Sequence, residues 1–183
     1  MKKILLALLI AASTTSVFAD KFVVEKARAE EATSGPGADT WYVKGIVDVD
    51  KNLALDASLQ TTKVDNLNKI SARYDVGVNP KFDLGPFRGY LRVSVGEKIA
   101  TTGNFGFYAV EPGISAPLGN GFSTSIGYRF RNAFNTSNND TTHTLRAGVN
   151  YEFTKKDAVG VRLDRMRGDQ NQNIWNVNYV RSF

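Results

Sequence analysis

From Trp41 to Phe183, apolar residues recur at every second position, and the positions between them carry much of the charge. A period of two belongs to strands with unlike faces. One face reads, for example, Ile70, Ala72, Tyr74, Val76, Val78, and later Leu145, Ala147, Val149, Tyr151, Phe153. Nine such segments of about 8–11 residues follow one another, the length a tilted strand needs to cross a bilayer. The other face carries Lys44, Asp48, Asp56, Arg73, Asp75, Arg88, Arg92, Glu111, Arg129, Arg131, Arg146, Glu152, Arg162 and Asp164. A soluble sandwich also alternates, because one face of each sheet meets water. Two features favour a barrel in lipid, with the soluble sandwich as the alternative. Its aromatics gather at the ends of the apolar stripes, and its charges sit mid-strand, facing what reads as a wet interior. The expected class is therefore all-β, a transmembrane up-and-down antiparallel β-barrel. No run of about 20 apolar residues exists to cross as a helix. The absence of cysteine excludes a disulfide scaffold and a thiolate metal site.

Connection lengths set the strand count. Val49–Asn52, Asp83–Pro86, Pro117–Asn120 and Thr154–Asp157 read as tight turns rich in Asp, Asn, Gly, Pro and Lys. Between them lie longer polar links at Thr62–Asn68, Glu97–Gly106, Ala133–Thr141 and Arg167–Asn173. Short periplasmic turns alternating with long external loops are the habit of outer-membrane barrels. Counting back from Phe183, Trp41–Asp48 runs toward the periplasm, so an earlier segment must carry the chain up. The candidate is Lys21–Arg28, followed by a loop over Ala29–Thr40. Parity then predicts ten strands with both termini periplasmic; eight is the alternative if Lys21–Arg28 is not a strand. Gly119-Asn-Gly121 reads as a hairpin turn, since it lacks the lysine and following helix of a phosphate loop.

Ahead of the barrel, Lys2 and Lys3 precede an apolar run from Ile4 to Ala12 and a small-residue stretch ending Val17-Phe18-Ala19. That is the layout of a secretory signal, with residues 1–19 removed before Asp20 and residues 20–183 forming the barrel. Losing Lys2 and Lys3 takes the formal charge from +5 to +3, which weakens any case for nucleic acid.

The terminal segment Trp175-Asn-Val-Asn-Tyr-Val-Arg-Ser-Phe183 resembles the last strand of Gram-negative outer-membrane barrels. Trp175, Val177, Tyr179 and Phe183 match its alternation, and Arg181 departs where a hydrophobic residue is usual. The resemblance implies residence in the outer membrane among its lipid and lipopolysaccharide, and recognition of this strand by the barrel assembly machinery. Phe107-Tyr-Ala-Val-Glu-Pro-Gly-Ile-Ser115, Gly127-Tyr-Arg-Phe-Arg131 and Asn150-Tyr-Glu-Phe153 further resemble segments of the oligogalacturonate-specific porin family. In that family inner-wall arginines form tracks for acidic sugars. Arg129 and Arg131 are the counterparts the resemblance implies, with Arg146 on the next strand. Members of that family have twelve strands, so this chain would lack a hairpin.

Catalysis finds little support. The single histidine, His143, reads as a rim residue; Leu145 stands where lipid A deacylase barrels place their serine. No Gly-x-Ser-x-Gly elbow or metal-ligand spacing is present, and Asn135–Asp140 reads as a solvated loop tip. The chain is thus expected to be no enzyme and to hold no cofactor or metal. The inner wall is the remaining candidate. Eight bases (Lys44, Arg73, Arg88, Arg92, Arg129, Arg131, Arg146, Arg162) face six acids (Asp48, Asp56, Asp75, Glu111, Glu152, Asp164). An unpaired buried guanidinium is costly, so the surplus must meet water or an anion. The expectation is a narrow channel for small anionic solutes such as acidic sugars, with Arg73, Arg88, Arg92, Arg129, Arg131, Arg146 and Arg162 as its anion-attracting wall. The competing expectation is a closed barrel that acts through its external loops.

Overall fold

The computed structural model describes residues 19–30, 37–65, 70–101 and 103–183. The signal read over 1–19 lies outside these residues except for Ala19. Ten strands follow in order: β1 (Lys21–Ala29), β2 (Ala38–Asp50), β3 (Leu53–Val64), β4 (Ile70–Leu84), β5 (Phe87–Ala100), β6 (Gly103–Gly119), β7 (Phe122–Ala133), β8 (Thr142–Glu152), β9 (Asp157–Gly168) and β10 (Gln172–Ser182). Each pairs antiparallel with its neighbour in sequence, and β1 closes on β10 from Lys21↔Ser182 to Ala29↔Ile174. The expected ten-stranded up-and-down barrel is what forms. The segment Lys21–Arg28 is the required upward strand. Because the count is even, both ends of the barrel chain meet at one rim, where Phe183 N–H donates to the Asp20 carbonyl at 3.0 Å.

The turns occupy that rim, here called the turn end. Asn120 (φ 51°) and Gly121 (φ 80°) make the β6–β7 turn in left-handed geometry, which asparagine and glycine accept at least cost. At Thr154–Asp157 the Thr154 hydroxyl accepts from the backbone N–H of Lys156 and of Asp157, an internal clamp that replaces missing ladder bonds. The strands run into the expected long links, most of all in two of them: β5 and β6 continue to Ala100 and Gly103, and β9 and β10 to Gly168 and Gln172. Backbone pairing depends on N–H and C=O groups, which do not lose their partners where the side-chain alternation fades. Hairpins therefore outrun the apolar stripe that announced them.

Burial is inverted relative to a water-soluble protein. Outward Val177 and Val161 are 61% and 55% exposed, whereas inward Asp75 and Arg131 are 4% and 6% exposed. The outward belt is valine, leucine and isoleucine, bounded by Trp41, Tyr74, Tyr128 and Trp175 toward the loop end and by Phe82, Phe87, Phe122 and Tyr151 toward the turn end. An outer surface of this kind is stable only against hydrocarbon, since its exposed apolar area far exceeds what a dissolved monomer tolerates. Arg181, the departure in the last strand, also points outward. Asp157 at the start of β9 holds its guanidinium at 3.1 Å.

Candidate functional site

Inside the barrel, the charged residues of the alternating strands meet across the lumen in three groups. Nearest β3–β5, Arg92 donates through Nε to both oxygens of Asp56 at 2.9–3.0 Å and through Nη2 to Asp75, while Lys44 stands 3.2 Å from Asp56. On the opposite wall, Arg146 reaches Glu111 at 2.7–2.8 Å, and Arg162 takes Asp164 on its own strand and Glu25 on β1, with a 2.9 Å bond to each Glu25 oxygen. Toward the loop end, Arg131 Nε lies 2.7 Å from Asp140, and Lys98 lies 3.5 Å from the same carboxylate. The forked contacts of Arg92 with Asp56 and of Arg162 with Glu25 are of the strongest kind that arginine forms, whereas Arg131 and Arg146 each bond their carboxylate through one Nη and leave Nε without a hydrogen bond.

Two guanidiniums fall outside these groups. Arg129 sits between Asp75 and Glu111, but each contact is 4.0 Å long, and its Nε and one Nη make no hydrogen bond. Arg73 donates to the Gln60 side-chain oxygen, has no carboxylate within salt-bridge reach among the described residues, and leaves Nε unpaired. The side chains of Arg73 and Arg131 both lean on the Phe107 ring, their guanidinium carbons 5.6 and 5.9 Å from its centre. Phe107 supplies a π-face to two cations and no hydrogen-bond acceptor.

The lumen is filled on one side only. Tyr90 projects from β5 across Gly113 on β6 and Gly127 on β7; a Cβ at those positions would stand 2.3 and 2.6 Å from Tyr90. Phe107 likewise fills the space above Gly96, where a Cβ would stand 2.8 Å from its ring. Against the other wall a cavity of about 610 Å³ remains, tens of times the ~15 Å³ that holds one water. Its lining runs from Gln170 and Gln172 near the loop end to Asn178 and Val180 near the turn end. Arg73, Arg92, Arg129, Arg131, Arg146 and Arg162 all line it. Arg88 does not: it points inward at the turn end, exposed, and donates to the Lys51 carbonyl.

The eight-to-six surplus survives with different members. Lys98 takes the place of Arg88, and Glu25 and Asp140 take the places of Asp48 and Glu152. Asp48 is instead held at the turn end by Lys21 and Lys81 at 2.7 and 2.6 Å. Asp140 is the clearest correction. Far from being a solvated tip, it is 2% exposed and folded inward onto Arg131. The short 3₁₀ turn Thr136–Asn138 and the left-handed Asn139 redirect the chain just before it. Phe107 and Tyr90 were also missed. The signal was present, because Tyr108 outward makes Phe107 inward by parity, and inward glycines on neighbouring strands mark where a large ring must lie. His143 faces outward on β8 against the Tyr128 hydroxyl, away from the charged interior.

No known family model and no curated protein matches the sequence. Solved structures match the fold. An outer membrane channel from Pseudomonas putida F1 superposes with a TM-score of 0.55 at 12% identity, over 89% of this chain and 94% of that one. The KdgM porin does so at 0.52 and 12%, over 89% and 99%. The overlap with the anion-selective porin from Comamonas acidovorans is looser, with a TM-score of 0.46 at 12% identity over 86% of this chain and 58% of that one. What this chain shares with the first two is a closed antiparallel β-barrel of the outer-membrane type. At these identities the likeness concerns the barrel alone, and what this lumen does must be argued from its own side chains.

Proposed function

We propose that the chain is exported through a signal at residues 1–19, folds in the outer membrane with its turn end in the periplasm, and passes small anionic solutes through a narrow lumen. The observation that carries this reading is the pair Arg73 and Arg129, which hold no carboxylate at hydrogen-bond distance and leave Nε of the first, and Nε and one Nη of the second, unpaired beside a cavity of about 610 Å³. A cation left without a partner in a low-dielectric wall is costly, and a passing carboxylate or phosphate relieves that cost transiently. The planar fork of arginine suits both groups, and acidic sugars carry the first. Arg92 and Arg162 are satisfied by carboxylates and act chiefly to shape the wall, while Arg146 is held by Glu111 through Nη1 alone and its Nε makes no hydrogen bond. The outer membrane is supported by the apolar belt and its two aromatic girdles and by the porin-like barrel.

A second reading, a closed barrel that acts through its loops, is favoured by one observation: Tyr90, Phe107 and the Arg92 cluster pack one half of the lumen. Flux separates the two. Proteoliposomes containing the folded barrel should admit a small uronic acid faster than the neutral sugar of the same size. Entry of neither solute would leave the closed barrel.

A further inference from the structure

The outer wall is charged as well, and unevenly. Toward the loop end, outward positions on β1, β3 and β9 carry Lys26, Arg28, Lys63, Arg165 and Arg167, all on the arc β9–β10–β1–β2–β3. The matching outward positions of β4–β8 hold no Lys or Arg among the described residues, and Glu97 there is bonded to Tyr74. Arg28 is engaged by Asp39 and Asp65. Lys26, Arg165 and Arg167 are exposed and have no carboxylate within salt-bridge reach among the described residues.

Both tryptophans of the chain lie among these cations. Lys26 pairs in register with Trp41, and its ammonium sits 5.7 Å from the centre of that ring. Trp175 lies between Arg28 on β1 and Leu163 on β9, with Arg165 two residues further along β9. Its indole N–H donates to Glu30 at 2.9 Å, which fixes the ring and occupies the nearby carboxylate. Arg167 pairs with His143. Outward cations flanked by tryptophan at the edge of an apolar belt stand at the depth of lipid headgroups, where anions are the available partners.

We propose that this arc is a binding surface for phosphate-bearing anionic lipid, with Lys26, Arg165 and Arg167 holding headgroup phosphates and Trp41 and Trp175 packing on the adjoining chains. The proposal rests on the membrane reading above and adds that the lipid shell around the barrel is lopsided. It commits to lipid because the three cations face hydrocarbon-level neighbours and not the lumen or the loops.

Trp41 and Trp175 are the only tryptophans, so their fluorescence reports from the surface itself. The full barrel is refolded into phosphatidylcholine vesicles holding a small fixed fraction of acyl-brominated lipid, and its folding is verified by heat-modifiable gel migration. Brominated phosphatidylglycerol should quench well beyond brominated phosphatidylcholine at the same fraction. The enrichment should be about fivefold, the effect of one well-placed cation. The variant Lys26→Gln/Arg165→Gln/Arg167→Gln should fold, conduct as before and quench equally with both lipids. Equal quenching of the unaltered barrel would overturn the lipid surface while leaving the membrane reading intact. Quenching by neither lipid would overturn both. Loss of the preference with inorganic phosphate, but not with sodium chloride at matched ionic strength, would assign the cations to free phosphate and overturn the lipid assignment.

Discussion

Arg129 and Arg162 point into the same lumen, yet one holds two carboxylates at hydrogen-bond distance and the other touches two at 4.0 Å. That difference decides which residue answers to a solute. Arg129→Gln should lower the anion preference of the pore severalfold in reversal-potential measurements, whereas Arg88→Gln, at the exposed turn end, should leave it nearly unchanged. Equal effects would remove the distinction between free and engaged cations. Asp140 offers the opposite manipulation. It is a carboxylate tethered by its own loop to Arg131 and Lys98, so Asp140→Asn should free both cations and strengthen the anion preference in the same measurement. The inward facing of these side chains was legible from alternation alone. Their partners were not, because which carboxylate meets which guanidinium across a closed barrel depends on the stagger of strands far apart in sequence. Asp140 was illegible for a second reason. Nothing in a polar loop announces that one residue of it turns back into the wall.

At the level of the strands, the period of two, the turn chemistry and the parity of the connections were sufficient to place all ten, including β1, whose short apolar stretch hides it. What parity also demanded was a closing contact for β1, and Glu25 provides it through Arg162 on β9. Glu25→Gln should destabilise the barrel by about 2–3 kcal/mol, less than the loss of a fully dry pair because the cavity admits water. Urea unfolding from detergent or lipid measures it, and an unaltered midpoint would show that β1 is held by backbone pairing alone. Across β5–β7, the glycines at 113 and 127 exist to admit Tyr90. Gly127→Val should cost roughly 1–3 kcal/mol by overpacking, and adding Tyr90→Ala should restore most of it. Failure of the second change to rescue the first would mean that the ring does not set the need for glycine. Loop lengths were the least legible feature, since the β5–β6 and β9–β10 hairpins keep pairing after the side-chain pattern has faded.

Over the whole molecule, one imbalance links fold to function. Eight interior cations face six carboxylates, three ion-pair groups consume the carboxylates, and Arg73 and Arg129 remain beside open volume. A barrel with paired charges and a filled interior needs no solute. This one is filled on the Tyr90–Phe107 side, and the two unengaged cations there, Arg73 and Arg129, line the cavity left against the other wall. The most direct test is the current through single barrels in a planar bilayer separating unequal potassium chloride concentrations. Discrete conductance steps should appear, with a reversal potential of the sign set by chloride, and that potential should move toward zero in Arg73→Gln/Arg129→Gln. Folded barrels that pass no current, or a reversal potential set by potassium, would contradict it.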